Sequence, residues 1–207
     1  MLILPKHNAI FYHVYKVAGT SIRNALLPYA LKRQIAGQLA NHALSVARLP
    51  KIRNPLYSYH PSLLAVRDKL GDSYYDYYRF AFVRAPLNWQ KSLYFFMLKK
   101  QHLPGNSRIK GMDFDQYLNW RMDNEMRFQS DMLYQGDENL VNDIFRFENI
   151  QEDFRAVANR LGIDAKLPYL NKAGAGRDAP VSPATLRRFK DVHEEEYAKL
   201  GYDIETV

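Results

Sequence analysis

No cysteine occurs among the 207 residues. That excludes disulfide staples and Cys-pair metal sites, and it predicts a reducing, cytoplasmic setting. No run of about 18 apolar residues is present, so no membrane-spanning helix is expected. The first 14 residues, MLILPKHNAIFYHV, are apolar but lack a basic flank and a small-residue cleavage site. They read as a first strand and not as a secretory leader. The six histidines are scattered at positions 7, 13, 42, 60, 102 and 193, without a His-x-x-x-His pair, so no metal is expected. Gly-Lys-Thr/Ser is also missing, and with it the usual magnesium-nucleotide cradle. No internal repeat, low-complexity tract or linker interrupts the chain, which predicts one domain over 1–207.

What is present begins with Ala9 to Leu26, AIFYHVYKVAGTSIRNAL. A β-prone run over 9–15 ends at Lys16, passes a small turn at Gly19, and opens a helix at Thr20-Ser21. That order builds a P-loop-like strand–loop–helix for an anionic group. Gly19 allows a close backbone approach. First-turn N–H groups and the helix dipole favour negative charge. Thr20 and Ser21 can cap the helix or donate to anionic oxygens, and Lys16 adds a mobile full charge. The same residues also suit a plain capped turn.

A second segment, RFAFVRAPLNWQKSLYFF over 79–96, repeats the pattern of strand, cation and helix. Phe80-Ala81-Phe82-Val83 reads as a buried strand, Arg84 stands at its end, and Pro86 pre-sets a helix. Arg84 offers a planar fork for phosphate oxygens. Ser92, about two helical turns along, can add a hydroxyl. The bland alternative makes Arg84 a surface ion-pair partner and Ser92 a helix filler. Elsewhere the chain predicts helices at 20–33, near 37–48, at 61–70, 86–100, 114–122, 124–134, 151–161 and 183–200. Strands are expected at 79–84 and 144–148, with a further strand at Tyr57-Ser58-Tyr59. Alternating elements argue for an α/β fold with a mostly parallel central sheet flanked by helices.

Together these segments resemble sulfotransferases that use 3′-phosphoadenosine 5′-phosphosulfate (PAPS), nearest to the bacterial and Golgi-type branch acting on carbohydrates. In that family the first loop commonly reads Pro-Lys-x-x-Gly-Thr-[ST]; here Tyr15 replaces the Pro. The second motif is R-x-P-x-x-x-x-x-S, matched by Arg84, Pro86 and Ser92, with Ala85 where Asp or Asn is common. The resemblance continues through Ile144–Asn149 and the Gly-rich loop 173–177, and covers most of the chain. It implies that Lys16, Val17, Ala18, Gly19, Thr20 and Ser21 hold the 5′-phosphosulfate, with Lys16 at the leaving oxygen. It implies that Arg84 and Ser92, with Lys172 and Arg177 from the loop, hold the 3′-phosphate. The product would be 3′,5′-ADP (PAP), and the scheme needs no metal.

A hydroxyl acceptor needs a base. His60, in His-Pro-Ser-Leu-Leu before a helix, resembles the catalytic His of several carbohydrate sulfotransferases. Imidazole suits proton transfer near neutral pH. The plainer reading makes His60 a packing residue ahead of Pro61, and His13 a packed strand residue. The expected acceptor is a saccharide or glycan. The net charge of +7 and pI of about 9.4 favour anionic partners. The local basic clusters read as solvated faces, so no specific nucleic acid is expected. Two alternatives stand beside this reading: a small-molecule kinase with an irregular P-loop, and a non-catalytic polyanion-binding protein on the same fold.

Overall fold

The computed structural model describes residues 1–168 and 179–206. The apolar N-terminus folds back on itself as β1 (Leu2–Leu4) and β2 (Ala9–Tyr12), antiparallel with Leu2 opposite Phe11. One continuous strand was the expectation from sequence. Pro5 instead opens a 3-10 turn, and Asn8 closes it in the left-handed conformation at φ 44°. Proline fixes φ and lacks a ladder donor, while Asn tolerates positive φ, so the run reverses there.

Helices α1 (Gly19–Leu26), α2 (Lys32–Val46), α3 (Leu63–Leu70) and α4 (Ser73–Asp76) precede β3 (Tyr78–Val83). The helix expected over 20–33 breaks at Leu26, because Pro28 diverts the chain into a 3-10 turn over Leu27–Tyr29. Helix α2 therefore starts at Lys32, ahead of its expected place. Tyr57-Ser58-Tyr59 forms no strand; Pro55–Tyr57 is a 3-10 turn whose Leu56 N–H donates to the Asn54 side chain. Then come α5 (Pro86–Lys99), α6 (Phe114–Asn124), β4 (Tyr134–Gln135), β5 (Glu138–Asn139), β6 (Asp143–Arg146), α7 (Ile150–Leu161) and α8 (Pro183–Leu200). Over 124–134 the expected helix is replaced by extended chain and one 3-10 turn, Ser130–Met132.

The main sheet has the order β1-β2-β3-β6, with only β1 antiparallel. This is the α/β, mostly parallel sheet that the alternation of elements predicts. Its central strands are continuous apolar runs, buried from Ala9 to Tyr12 and from Phe80 to Val83, as expected where both faces of a sheet are covered. Helix α7 packs against β6 through an apolar face of Phe154, Val157, Ala158 and Leu161.

Chain contacts group these elements into two compact units. One holds Met1–Val83 and the chain from Met132 through α7, and so the whole sheet. The other holds Arg84–Asp131 and α8. Its core is Tyr94, Met97, Ile109, Phe114, Tyr117, Leu118, Phe189 and Tyr197, contributed mainly by α5, α6 and α8. Sequence-local caps bound these helices. Asp113 and Gln116 form a capping box on α6, and Ser182 accepts from Thr185 N at the start of α8. No described helix is long and apolar enough to cross a membrane.

Candidate active site

The loop between β2 and α1 departs from ordinary backbone geometry. Lys16 and Ala18 both adopt positive φ, 68° and 56°. A non-glycine residue held there costs on the order of 1–3 kcal/mol, and such strain gathers at functional sites. Ala18 is the N-cap of α1; its carbonyl accepts from Ser21 N at 2.8 Å and Ile22 N at 3.2 Å. Left-handed Ala18 followed by the helical first turn makes a concavity of main-chain N–H groups, a geometry that suits an anion. No side chain caps this helix. Thr20 and Ser21 therefore stand inside the first turn as its second and third residues, Thr20 exposed and Ser21 buried. Val17 is fully buried in the core, so only its main chain can serve a ligand.

Gly19 is needed for a reason that the sequence does not announce. It has no positive φ; instead, a Cβ built on it would fall inside the His13 imidazole. His13 is buried, its ring 5.9 Å from that of Phe11 and 4.4 Å from that of His60. Burial pushes the His13 imidazole down to about 2, so it stays neutral. His13 is thus the packed residue of the plainer reading, and it supports the loop.

His60 sits beside it. Its Nδ1 lies 2.9 Å from the His13 carbonyl oxygen. A carbonyl only accepts, so Nδ1 carries the proton and Nε2 keeps its lone pair. The next residue is pinned as well: Tyr12 Oη donates to the Pro61 carbonyl at 2.7 Å. The Tyr15 ring stands edge-on to His60 at 6.1 Å. His60 remains exposed on its outer side, and partial burial holds its pKa below the ordinary imidazole value. Loop and histidine thus share one neighbourhood. No Asp or Glu precedes Asp68 in the chain, so no carboxylate from its first 67 residues competes for an anion there.

In the other unit, Arg84 is fixed through its main chain. Gln129 Oε1 accepts from Arg84 N at 2.9 Å, and Gln129 Nε2 donates to the Arg84 carbonyl at 2.7 Å. One amide side chain thereby replaces a neighbouring strand where β3 ends. Gln129 is fully buried and is held in turn by Glu196 of α8. That carboxylate accepts from Gln129 N at 2.7 Å, from Ser130 N at 3.1 Å, and from the Ser130 hydroxyl. Burial nevertheless raises the Glu196 pKa above the ordinary carboxyl value, against those hydrogen bonds. Pro86 occupies the first turn of α5, and Ser92 lies half-buried along that helix.

Lys172 and Arg177 lie outside the described residues. Of the two tryptophans, Trp89 is buried, whereas Trp120 is half-buried with Arg121 over its ring. The Tyr74–Tyr78 cluster packs: Tyr74 Oη donates to the Leu140 carbonyl at 2.6 Å, and Tyr78 Oη to Asp143 at 2.6 Å. Sequence reasoning missed His13 as a support and Gln129 altogether, and it reads Glu194-Glu195-Glu196 as an exposed helix surface, whereas Glu196 is buried. Only a buried Glu inside the run Glu194-Glu195-Glu196 could have hinted at the last, and helical spacing alone does not single it out. No group of three or more described His, Asp or Glu residues is placed to hold a metal ion.

Fold and residues thus define an α/β protein with a strained, donor-rich loop following a parallel strand and an oriented histidine beside it. The model of the sulfotransferase family matches residues 1–202, and the chain belongs to that family. Membership carries sulfuryl transfer as the general activity, an acceptor to receive the group, and a donor that in this family is generally PAPS. No curated protein and no solved structure is significantly similar to the chain.

Proposed function

We propose that this chain transfers the sulfuryl group of PAPS to a hydroxyl of a saccharide or glycan, with His60 as the base. The observation that carries the reading is the His60 imidazole. Its Nδ1 is committed to the His13 carbonyl, and its Nε2 is left basic beside the strained Lys16–Ser21 loop. The donor set of that loop fits an anionic phosphosulfate: one ammonium, two hydroxyls and the first-turn N–H groups, with no carboxylate in the surrounding sequence.

PAPS supplies a sulfuryl group activated by its bond to phosphate. As the acceptor oxygen bonds to sulfur, the bond from sulfur to the phosphate oxygen breaks, and the acceptor proton passes to His60 Nε2. Partial burial favours the neutral imidazole, the form able to take that proton at neutral pH. Lys16 offsets the charge that develops on the departing phosphate oxygen. The main chain of Val17, Ala18 and Gly19, with the Thr20 and Ser21 hydroxyls, holds the 5′-phosphate. Arg84 and Ser92 hold the 3′-phosphate and convert remote binding into alignment; Lys172 and Arg177 add cations there, as the family resemblance implies. The preference for a saccharide rests on the likeness of the His60 segment to carbohydrate sulfotransferases.

Calorimetric titration with PAP, without magnesium, tests the donor site. Wild type should bind on the order of micromolar, and Arg84→Ala should lose at least tenfold, as expected for a charge-assisted contact. His60→Asn, which keeps a donor toward the His13 carbonyl, should bind PAP normally while kcat falls about 10²–10⁴-fold. Tighter, magnesium-dependent ATP binding would overturn the reading in favour of a kinase.

A further inference from the structure

Helix α2 is polar on its inner face and carries exposed aliphatic side chains among cations on its outer one. Its buried stripe is Gln34, Gly37, Gln38 and Asn41. These side chains serve main-chain groups: Gln34 accepts from Ile3 N at 2.9 Å, Gln38 donates to the Ser58 carbonyl at 3.2 Å, and Gly37 leaves room for the Tyr57 ring. The helix covers the open edge of β1 with amides instead of aliphatic side chains. The opposite stripe, Lys32, Ala36, Leu39, Ala43 and Val46, is exposed throughout. Leu39 is 58% and Val46 73% exposed.

The segment after α2 extends the same surface. Leu49 is 55% and Ile52 46% exposed. Neither side chain is out by accident of a loose loop. Leu49 N donates to the Leu44 carbonyl at 2.8 Å. Asn41 grips both main-chain groups of Ile52, accepting from its N–H at 2.8 Å and donating to its carbonyl at 3.2 Å. Lys32, Arg33, Arg48, Lys51 and Arg53 are all exposed on this helix and segment.

We propose that the outer face of α2 and the segment 47–53 dock the protein on an anionic lipid surface, lying in the interface without spanning it. The charge of the chain is partitioned to suit this. Residues 1–67 carry nine Lys or Arg and no Asp or Glu, while the other 140 residues hold 20 basic and 22 acidic side chains. The net charge of +7 therefore arises in the part of the chain that bears this face. Anionic headgroups attract a basic surface, and their acyl boundary accepts Leu, Val and Ile. A soluble polyanion would use the cations but give no reason for four exposed aliphatic side chains among them. A second copy docked through the same face would set these cations against each other. The proposal stands independently of the assigned activity.

Cosedimentation of the full chain with phosphatidylcholine vesicles, with and without phosphatidylserine, is the test. Binding is expected only when phosphatidylserine is present. Leu39→Gln/Val46→Gln/Leu49→Ser/Ile52→Ser keeps every charge and should weaken binding at least tenfold. Arg48→Gln/Lys51→Gln/Arg53→Gln keeps every aliphatic group and should weaken it about a hundredfold. All seven positions are exposed, so unchanged melting and PAP binding should accompany both effects. Vesicle binding that ignores the aliphatic changes, with tight heparin binding, would overturn the proposal in favour of a polyanion surface. Self-association abolished by the same aliphatic changes would assign the face to a second copy, and absence of vesicle binding would also refute the proposal.

Discussion

The two cation-bearing segments of this sulfotransferase are held in different ways. The loop around Lys16 is built almost entirely from its own stretch of chain. Left-handed Lys16 and Ala18, a helix that starts at Gly19, and His13 six residues upstream fix its shape. Arg84, by contrast, is positioned by residues far along the chain. Gln129, 45 residues later, clamps its main chain, and Glu196, 67 residues beyond Gln129, clamps Gln129. A local device can be read from a motif. A relay of buried hydrogen bonds cannot, because nothing in the spacing of Gln129 and Glu196 marks them as neighbours.

The loop should break most severely at Gly19. Gly19→Ala places a methyl group within the His13 ring, which Phe11 and His60 prevent from moving aside, so about 3 kcal/mol of stability and PAP binding should both be lost. Adding His13→Ala should recover part of that loss. Denaturant unfolding of the four species would then show a double variant more stable than the sum of the singles requires. Strict additivity would mean that the imidazole is not the obstacle.

The relay should fail more gently. Glu196→Ala leaves two buried N–H groups and the Ser130 hydroxyl without their acceptor, a loss of about 2 kcal/mol. PAP affinity should fall about tenfold as the Arg84 main chain loosens, and Gln129→Leu should reproduce the affinity loss. Undiminished affinity in both variants would show that Arg84 needs no such support.

The smallest effect is on stability near pH 6, just below the ordinary imidazole range, and it samples both regions. Burial pushes His13 down to about 2 and His193, one helical turn before Glu196 on α8, down to about 4. Unfolded imidazoles protonate below about 6.5, whereas the folded ones resist until those lower values. Stability is therefore complete above about pH 6.5 and declines as pH falls, by at most about 1.4 kcal/mol per pH unit for each histidine. In His193→Leu the decline just below about pH 6.5 should be shallower, leaving the shares of His13 and His60. An unchanged slope would show that His193 is charged in the folded protein.

Taken alone, the sequence determined the alternation of strands and helices, a first strand within 9–15 that ends early at Tyr12, the buried run at 80–83, and the strand–loop–helix order around Lys16. It also determined α5, α6, α7 and α8 closely, and the family that order implies. Those features rest on short-range periodicity, proline and caps, which act within a few residues. Tertiary structure alone decided the rest. It reversed the N-terminal run at Pro5, and it turned α2 so that amides face the β1 edge. It assigned Gly19 to His13 where sequence suggested a ligand, fixed the tautomer of His60, and recruited Gln129 and Glu196 to Arg84. In each case the deciding partner is a buried polar group that must be satisfied or a ring that must be given room. Such demands join residues across any separation in the chain.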